Sequence, residues 1–256
     1  MIYKTMTGRR ALLLVLIFAL AMALTLWALS ALGVDAALSA ASSRLTPIYS
    51  VETPRAAVSL GINCAWGDED IPAILAALEK YGVKATFFVV GEWCSRCPEA
   101  LAAIHAAGHE LGSHSDTHPD MSGLDEAAIR AELDGCAEKL KAATGERPSL
   151  FRPPSGAYGD TLIRTAKSMG YYVVQWSLDS IDWKGLSAQE IYERIVPKAE
   201  NGDILLLHSG AKHTAEALPD ILEGLVARGF DVIPVSELIY HENYSIDHTG
   251  RQHPAA

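Results

Sequence analysis

The chain has 256 residues, 49% of them hydrophobic and 20% charged, a balance that excludes a disordered chain and fits a globular one. Its formal net charge is −10, and three of its 21 basic residues fall in the first ten positions, so the remainder is more acidic still. Such an acidic exterior excludes nucleic acid as a partner and argues against adhesion to anionic lipid.

Residues 1–10 carry Lys4, Arg9 and Arg10 and no acid, and residues 11–34 carry no charge at all. That apolar run exceeds the roughly 20 residues that cross a bilayer as a helix and the about 7–15 of a signal-peptide core. A basic flank stays cytoplasmic. The run therefore predicts a single-pass anchor in the cell membrane with the rest of the chain on the extracytoplasmic side. Cleavage near the small residues 37–41 is the alternative. Residues 35–54, rich in Ala, Ser, Thr and Pro, read as a linker.

Beyond the linker, apolar or β-branched runs alternate with helical periodicity. Residues 57–62 (AVSLGI) predict a strand, and 70–82 (DIPAILAALEKYG) a helix with Asp70 as its cap and Gly82 as its stop. Strand 85–90 (ATFFVV), helix 98–108, the short strand 109–114 (HELGSH) and the long helix 124–145 follow. Four more strands fall at 148–152, 171–177, 203–208 and 230–235, with helices near 160–169, 187–199 and 214–228 between them. Residues 241–256 are polar and read as a disordered tail. Regular βα alternation predicts a parallel sheet with helical crossovers. Over residues 55–240 it fits a distorted seven- to eight-stranded parallel β/α barrel, with a doubly wound open sheet as the alternative. No Gly-rich loop that would cradle phosphate follows the first strand.

In a parallel β/α barrel, chemistry collects where the strands end. Asn63, Cys64, Ala65 and Trp66 follow the first strand, and His114 and His118 follow the third. Arg152, Pro153 and Pro154 end the fourth, Asp179 to Trp183 follow the fifth, and Leu206 and His208 end the sixth. Two histidines four apart can converge on one metal ion, and neutral imidazoles suit zinc. Two surface histidines in a loop are the alternative, but the company of arginine, aspartate and a further histidine on one rim favours the metal.

The ordered motifs H-S-D-T-H (114–118), R-P-P-S-G (152–156), D-S-I-D-W (179–183) and L-L-L-H (205–208) resemble the polysaccharide deacetylases that carry the NodB-homology domain. The resemblance covers roughly residues 56–240, and the segment through Trp66-Gly67 is similar to the sporulation-type members. It implies a hydrolase that removes N-acetyl groups from a cell-wall glycan, peptidoglycan or chitin-like, with a divalent metal, commonly zinc. His114 and His118 match the metal-ligand histidines, and Arg152 matches the arginine that pairs with the catalytic base. Asp182 matches the carboxylate that tunes the catalytic histidine, and His208 matches that histidine, the general acid. Trp183 and Leu206 match the walls of the acetyl pocket, and Pro153 and Pro154 lie beside the substrate.

The first motif departs from the family. Where T-F-D-D-G supplies a base and then a metal ligand, this chain has Asn63 and Cys64. An amide cannot accept a proton from water near neutral pH. In one reading, the Cys64 thiolate joins the two histidines on zinc. Asp68, Glu69 or Asp116 then supplies the base, or zinc hydroxide acts without one. In the other, catalysis is lost and the rim only binds glycan. Cys64 also fits a buried free thiol. Cys94 and Cys97 read as a local staple, two reduced thiols or a redox pair, and His105, His109, His213, His241, His248 and His253 as structural or surface histidines.

Overall fold

The computed structural model describes residues 8–31 and 44–255, and the chain divides into two compact units after Arg44. In the first unit, Gly8–Ala31 forms one helix (α1). Its side chains are described from Val15 to Ala28, all exposed. Over the described residues no helix is long and apolar enough to cross a membrane. Of the membrane span predicted over 11–34, residues 11–31 are helical. Residues 32–34, and the first part of the predicted linker, lie outside the described residues.

In the second unit the strands are β1 (Ser50–Val51), β2 (Ala57–Cys64), β3 (Thr86–Val89), β4 (Glu110–Ser113), β5 (Leu150–Phe151), β6 (Tyr172–Val173), β7 (Leu178–Asp179), β8 (Ile204–His208) and β9 (Asp231–Val232). Seven of them form one parallel path in the order β6-β5-β4-β3-β2-β8-β7, and β9 adds to β2. The path is open, because β6 and β7 stand at its two ends and do not pair. The expected barrel is therefore a half-barrel. The strand expected over 171–177 is shortened to Tyr172–Val173, after which Val174 bridges Ile48 and the Gln175 N–H donates to the Ile48 carbonyl. The N-terminal segment of the domain thus occupies the edge that a closing strand would need.

The helices α2 (Ile71–Lys80), α3 (Gly91–Arg96), α4 (Pro98–Ala106), α5 (Glu126–Thr144), α6 (Asp160–Ser168), α7 (Ala188–Ile195) and α8 (Thr214–Ala227) fall in the crossovers between strands. Local chemistry sets their ends. Asp125 caps α5 by accepting from the Ala128 N–H, and Ser187 with Glu190 forms a capping box on α7. The apolar faces of α2, α4, α7 and α8 meet Leu60, Ile62, Cys64, Phe87 and Leu205 in the largest core cluster.

Two expectations change at the ends of the domain. The part of the linker from Leu45 onward belongs to the domain, with Ile48 and Val51 fully buried. The expected disordered tail forms β10 (Tyr244–Ile246) and β11 (Arg251–Pro254), and β11 pairs with β1. Gln252 is buried and exchanges two hydrogen bonds with the Tyr240 backbone, at 2.8 and 2.7 Å. His253 lies between Glu52 and Asp247, at 2.7 and 2.9 Å. Strands this short carry no periodicity of their own, and β11 is placed by β1, whose Ser50 pairs with Arg251, so local pattern cannot reveal them.

His109 is a structural histidine, and it makes the fold sensitive to pH. Its Nδ1 accepts the Ala85 N–H at 3.2 Å, and burial, with Lys84 nearby, lowers its pKa to about 4 from an ordinary 6.5. The unfolded chain takes up a proton that the folded chain refuses between these values, so stability falls as pH drops from 6.5 towards 4. The urea midpoint should be lower at pH 5 than at pH 7.5, and the difference should shrink in His109→Gln. An unchanged difference in that variant would place the sensitivity elsewhere.

Candidate active site

Strand alternation sorts the first motif. Ser59, Gly61 and Asn63 point to the inside of the sheet's curve, while Leu60, Ile62 and Cys64 point into the core cluster under the helices. Gly61 is required, since a Cβ there would overlap the Arg152 guanidinium. Arg152 is fully buried, donates through Nη1 to the Gly61 carbonyl (3.1 Å) and to Asn63 Oδ1 (3.0 Å), and donates through Nη2 to the Gln175 carbonyl (3.1 Å). The Phe88 ring lies 4.0 Å from its Cζ, and its Nε has no partner. Burial lowers its pKa to about 9 despite the charge of Asp179, so it is still charged at neutral pH, and its one side-chain acceptor is the neutral Asn63 amide.

His114 is held from both ends. A carbonyl can only accept, so Nδ1 carries the proton that meets the Arg152 carbonyl at 2.6 Å, and Nε2 is left as the acceptor. That acceptor faces the Asn63 amide nitrogen at 3.2 Å. Because Asn63 Oδ1 is fixed by Arg152, the orientation of the amide is fixed as well. Burial keeps His114 well below its ordinary pKa, outweighing the bond to the Arg152 carbonyl. His118 has a left-handed backbone (φ 61°) that turns its ring edge-on to His114, with centroids 4.9 Å apart. Burial lowers its pKa also. The structure thus brings together Asn63, His114, His118 and Arg152.

The second half of the site is built on β8. Register pairs Asn63 with His208 and Gly61 with Leu206, so Leu206 and His208 share the inner face with the first motif. Asp182 is fully buried and accepts four hydrogen bonds: from His208 Nδ1 and the His208 backbone N–H (2.7 Å each), from the Thr214 hydroxyl (2.7 Å) and from the Trp183 N–H (2.9 Å). Burial alone would raise its pKa, but these bonds and the charge of His208 hold it below the ordinary value. Ile181, ahead of it, has a left-handed backbone (φ 53°), a strained conformation for a β-branched residue and one that collects at functional sites. Trp183 is 52% exposed at the rim, and Pro153 and Pro154 are buried beside Arg152.

Cys64 does not join the histidines. It lies on the opposite face of β2, its pKa is raised to about 12 by burial, and its thiol bonds to Ser209. The candidate substitute bases have other neighbours: Asp116 is salt-bridged to Lys139 between Gly91 and Gly135, Asp68 bonds to Cys97, and the Glu69 carboxylate lies against Gly67. All four cysteines are free and buried, and burial raises the pKa of each, the reverse of a reactive thiolate. Sequence reasoning missed Gly61, Thr214 and Gln175. Only Gly61 carried a signal, as a glycine inside an otherwise β-branched and apolar strand.

Residues 50–174 match the family model for polysaccharide deacetylase. A peptidoglycan-N-acetylglucosamine deacetylase of Bacillus cereus is 35% identical over 178 residues, which are 67% of this chain and 83% of that enzyme. The chain belongs to the polysaccharide deacetylase family. The uncharacterized protein YlxY of Bacillus subtilis is 35% identical over 193 residues, 75% of this chain, and the sporulation-type peptidoglycan-N-acetylmuramic acid deacetylase PdaA of the same organism is 32% identical over 176. The match spans 60% of the length of YlxY and 66% of PdaA. Among solved structures, BA3943, a CE4 family pseudoenzyme from Bacillus anthracis, is 33% identical with a TM-score of 0.73, covering 82% of this chain and 73% of that one. A BA3943 mutant with restored enzymatic activity has the same TM-score at 36% identity, covering 75% and 70%.

Polysaccharide deacetylases are hydrolases of carbon–nitrogen bonds, metal-dependent in general, and some members are pseudoenzymes. In this deacetylase-family chain the donor set does not fit a tightly held divalent ion. Among the described residues no group of three His, Cys, Asp or Glu converges, and the Nε2 lone pair of His114 is taken by the Asn63 amide. Two imidazoles make a poor zinc site, which asks for at least three protein ligands.

Proposed function

We propose that this domain binds N-acetylated cell-wall glycan at the rim around His208, and that its deacetylase chemistry is silenced at position 63. One observation carries the reading. Both ends of the Asn63 amide are engaged, Oδ1 by Arg152 and Nδ2 by His114, so the position of the base holds no group able to take a proton from water. The pseudoenzyme relative supports it, and the peptidoglycan deacetylases among the relatives support a glycan as the ligand.

A second reading, slow deacetylation, is favoured by the intact Asp182–His208 pair at 2.7 Å, which remains competent to deliver a proton to a leaving amine. The discriminating experiment incubates the full chain with insoluble peptidoglycan and with chitooligosaccharides, scoring both co-sedimentation and acetate release. Binding without acetate supports the first reading, and acetate release by the parent replaces it with the second. Loss of both signals removes the glycan altogether. We further propose that the uncharged helix after Arg9-Arg10 anchors the chain in the cell membrane with the domain outside. Sodium carbonate washing should leave the protein in the membrane pellet, and its release into the supernatant would contradict the anchor.

A further inference from the structure

Trp66 and Trp183 are the two exposed tryptophans in the described domain, and Trp66 stands beside His208. The Trp66 ring stacks on the imidazole, with centroids 5.3 Å apart and planes 23° apart. Trp183 directly follows Asp182, the carboxylate that holds His208 Nδ1. The His208 side chain is only 13% exposed, whereas Trp66 remains 47% exposed, so the indole covers the imidazole and turns much of its own surface to solvent.

The backbone under Trp66 is fixed on every side. Arg96 Nη2 donates to the Ala65 carbonyl (2.9 Å), and Trp93 Nε1 donates to the Gly67 carbonyl (3.2 Å). The Asp70 carboxylate accepts the Gly210 N–H through both oxygens (3.0 and 2.9 Å), tying the loop after β2 to the loop after β8. Close packing accompanies that tie, since a Cβ on Gly210 would sit 3.3 Å from the Trp66 Cβ. A large apolar ring held rigidly in solvent beside a binding site is preorganised for a ligand, because little freedom is lost on contact. A flat indole with one N–H suits a ring that is apolar on its face and hydroxylated at its edge. Asp68 and Glu69 follow Trp66 after a single glycine, and their negative charge disfavours an acidic ring.

We infer that Trp66 is a sugar-stacking platform, holding an uncharged N-acetylhexosamine ring of the glycan next to the one whose acetamide faces His208. This rests on the glycan reading above. The test compares the full chain with Trp66→Ala and Trp66→Phe for binding of N-acetylglucosamine and of its fully acetylated tetramer, by calorimetry and tryptophan emission. The parent should prefer the tetramer. Trp66→Ala should weaken tetramer binding by about tenfold or more, the scale of a tryptophan hot spot, while leaving the monomer within about threefold. Trp66→Phe should retain most of the tetramer affinity while losing part of the ligand-induced change in emission. Equal tetramer binding by parent and Trp66→Ala would overturn the platform alone, as would an equal loss for both sugars. A parent that binds neither sugar would overturn the glycan reading and the platform together.

Discussion

Asn63→Asp is expected to raise acetate release from N-acetylated glycan by roughly 10²-fold or more over the parent, the scale of a positioned general base. The carboxylate would stand 3 Å from the Arg152 guanidinium, in the place where Asn63 Oδ1 now accepts a hydrogen bond at 3.0 Å. It would also remove the donor that caps His114 Nε2, leaving that lone pair free. A buried guanidinium with only neutral partners is costly, and a carboxylate beside it compensates the charge, so the urea midpoint should hold or rise. Zinc content, measured alongside, should increase only if the new carboxylate joins His114 and His118 as the third ligand such a site requires. Acetate release that stays at the parent's level in a well-folded variant would mean that position 63 is not what silences the site.

The second large effect concerns Asp182 and His208. In the Asn63→Asp background, His208→Ala should lower acetate release by roughly 10²–10⁴-fold, because the leaving amine loses its proton donor. Asp182→Asn acts on the fold as well as the site. Its carboxylate serves four donors from a fully buried position, and an amide would set its own N–H₂ against at least one of them, at a cost of roughly 1–3 kcal/mol. The folded pKa of Asp182 lies below the ordinary 3.8, so its stabilisation is complete above that value and disappears as pH falls through the folded value. Urea midpoints measured from pH 7 to pH 3 should therefore show a shallower acid decline in Asp182→Asn than in the parent. A decline of unchanged steepness would show that Asp182 is not among the groups driving acid unfolding.

Much of the fold was legible because its signals are local. The apolar runs of β2, β3 and β8 and the capped helices between them carry their period and their stops in contiguous residues, and βα alternation follows from them. The rim histidines, Arg152 and Asp182 were legible as chemistry-bearing residues at strand ends. The sequence by itself thus determined the parallel α/β plan, the identity of the substituted base and the family motifs. Only the tertiary structure decided what depends on distant partners. The sheet stays open because Ile48 takes the edge at Val174, and the tail is ordered because β11 finds β1. Cys64 is excluded from the site because the pleat of β2 sends alternate residues to opposite faces, and that sorting is fixed only when Arg152 and the helices claim their sides. Asn63 likewise carries no fixed orientation in the sequence. Its amide is aimed by a guanidinium 89 residues further along the chain, and that contact turns a substituted base into a cap on His114.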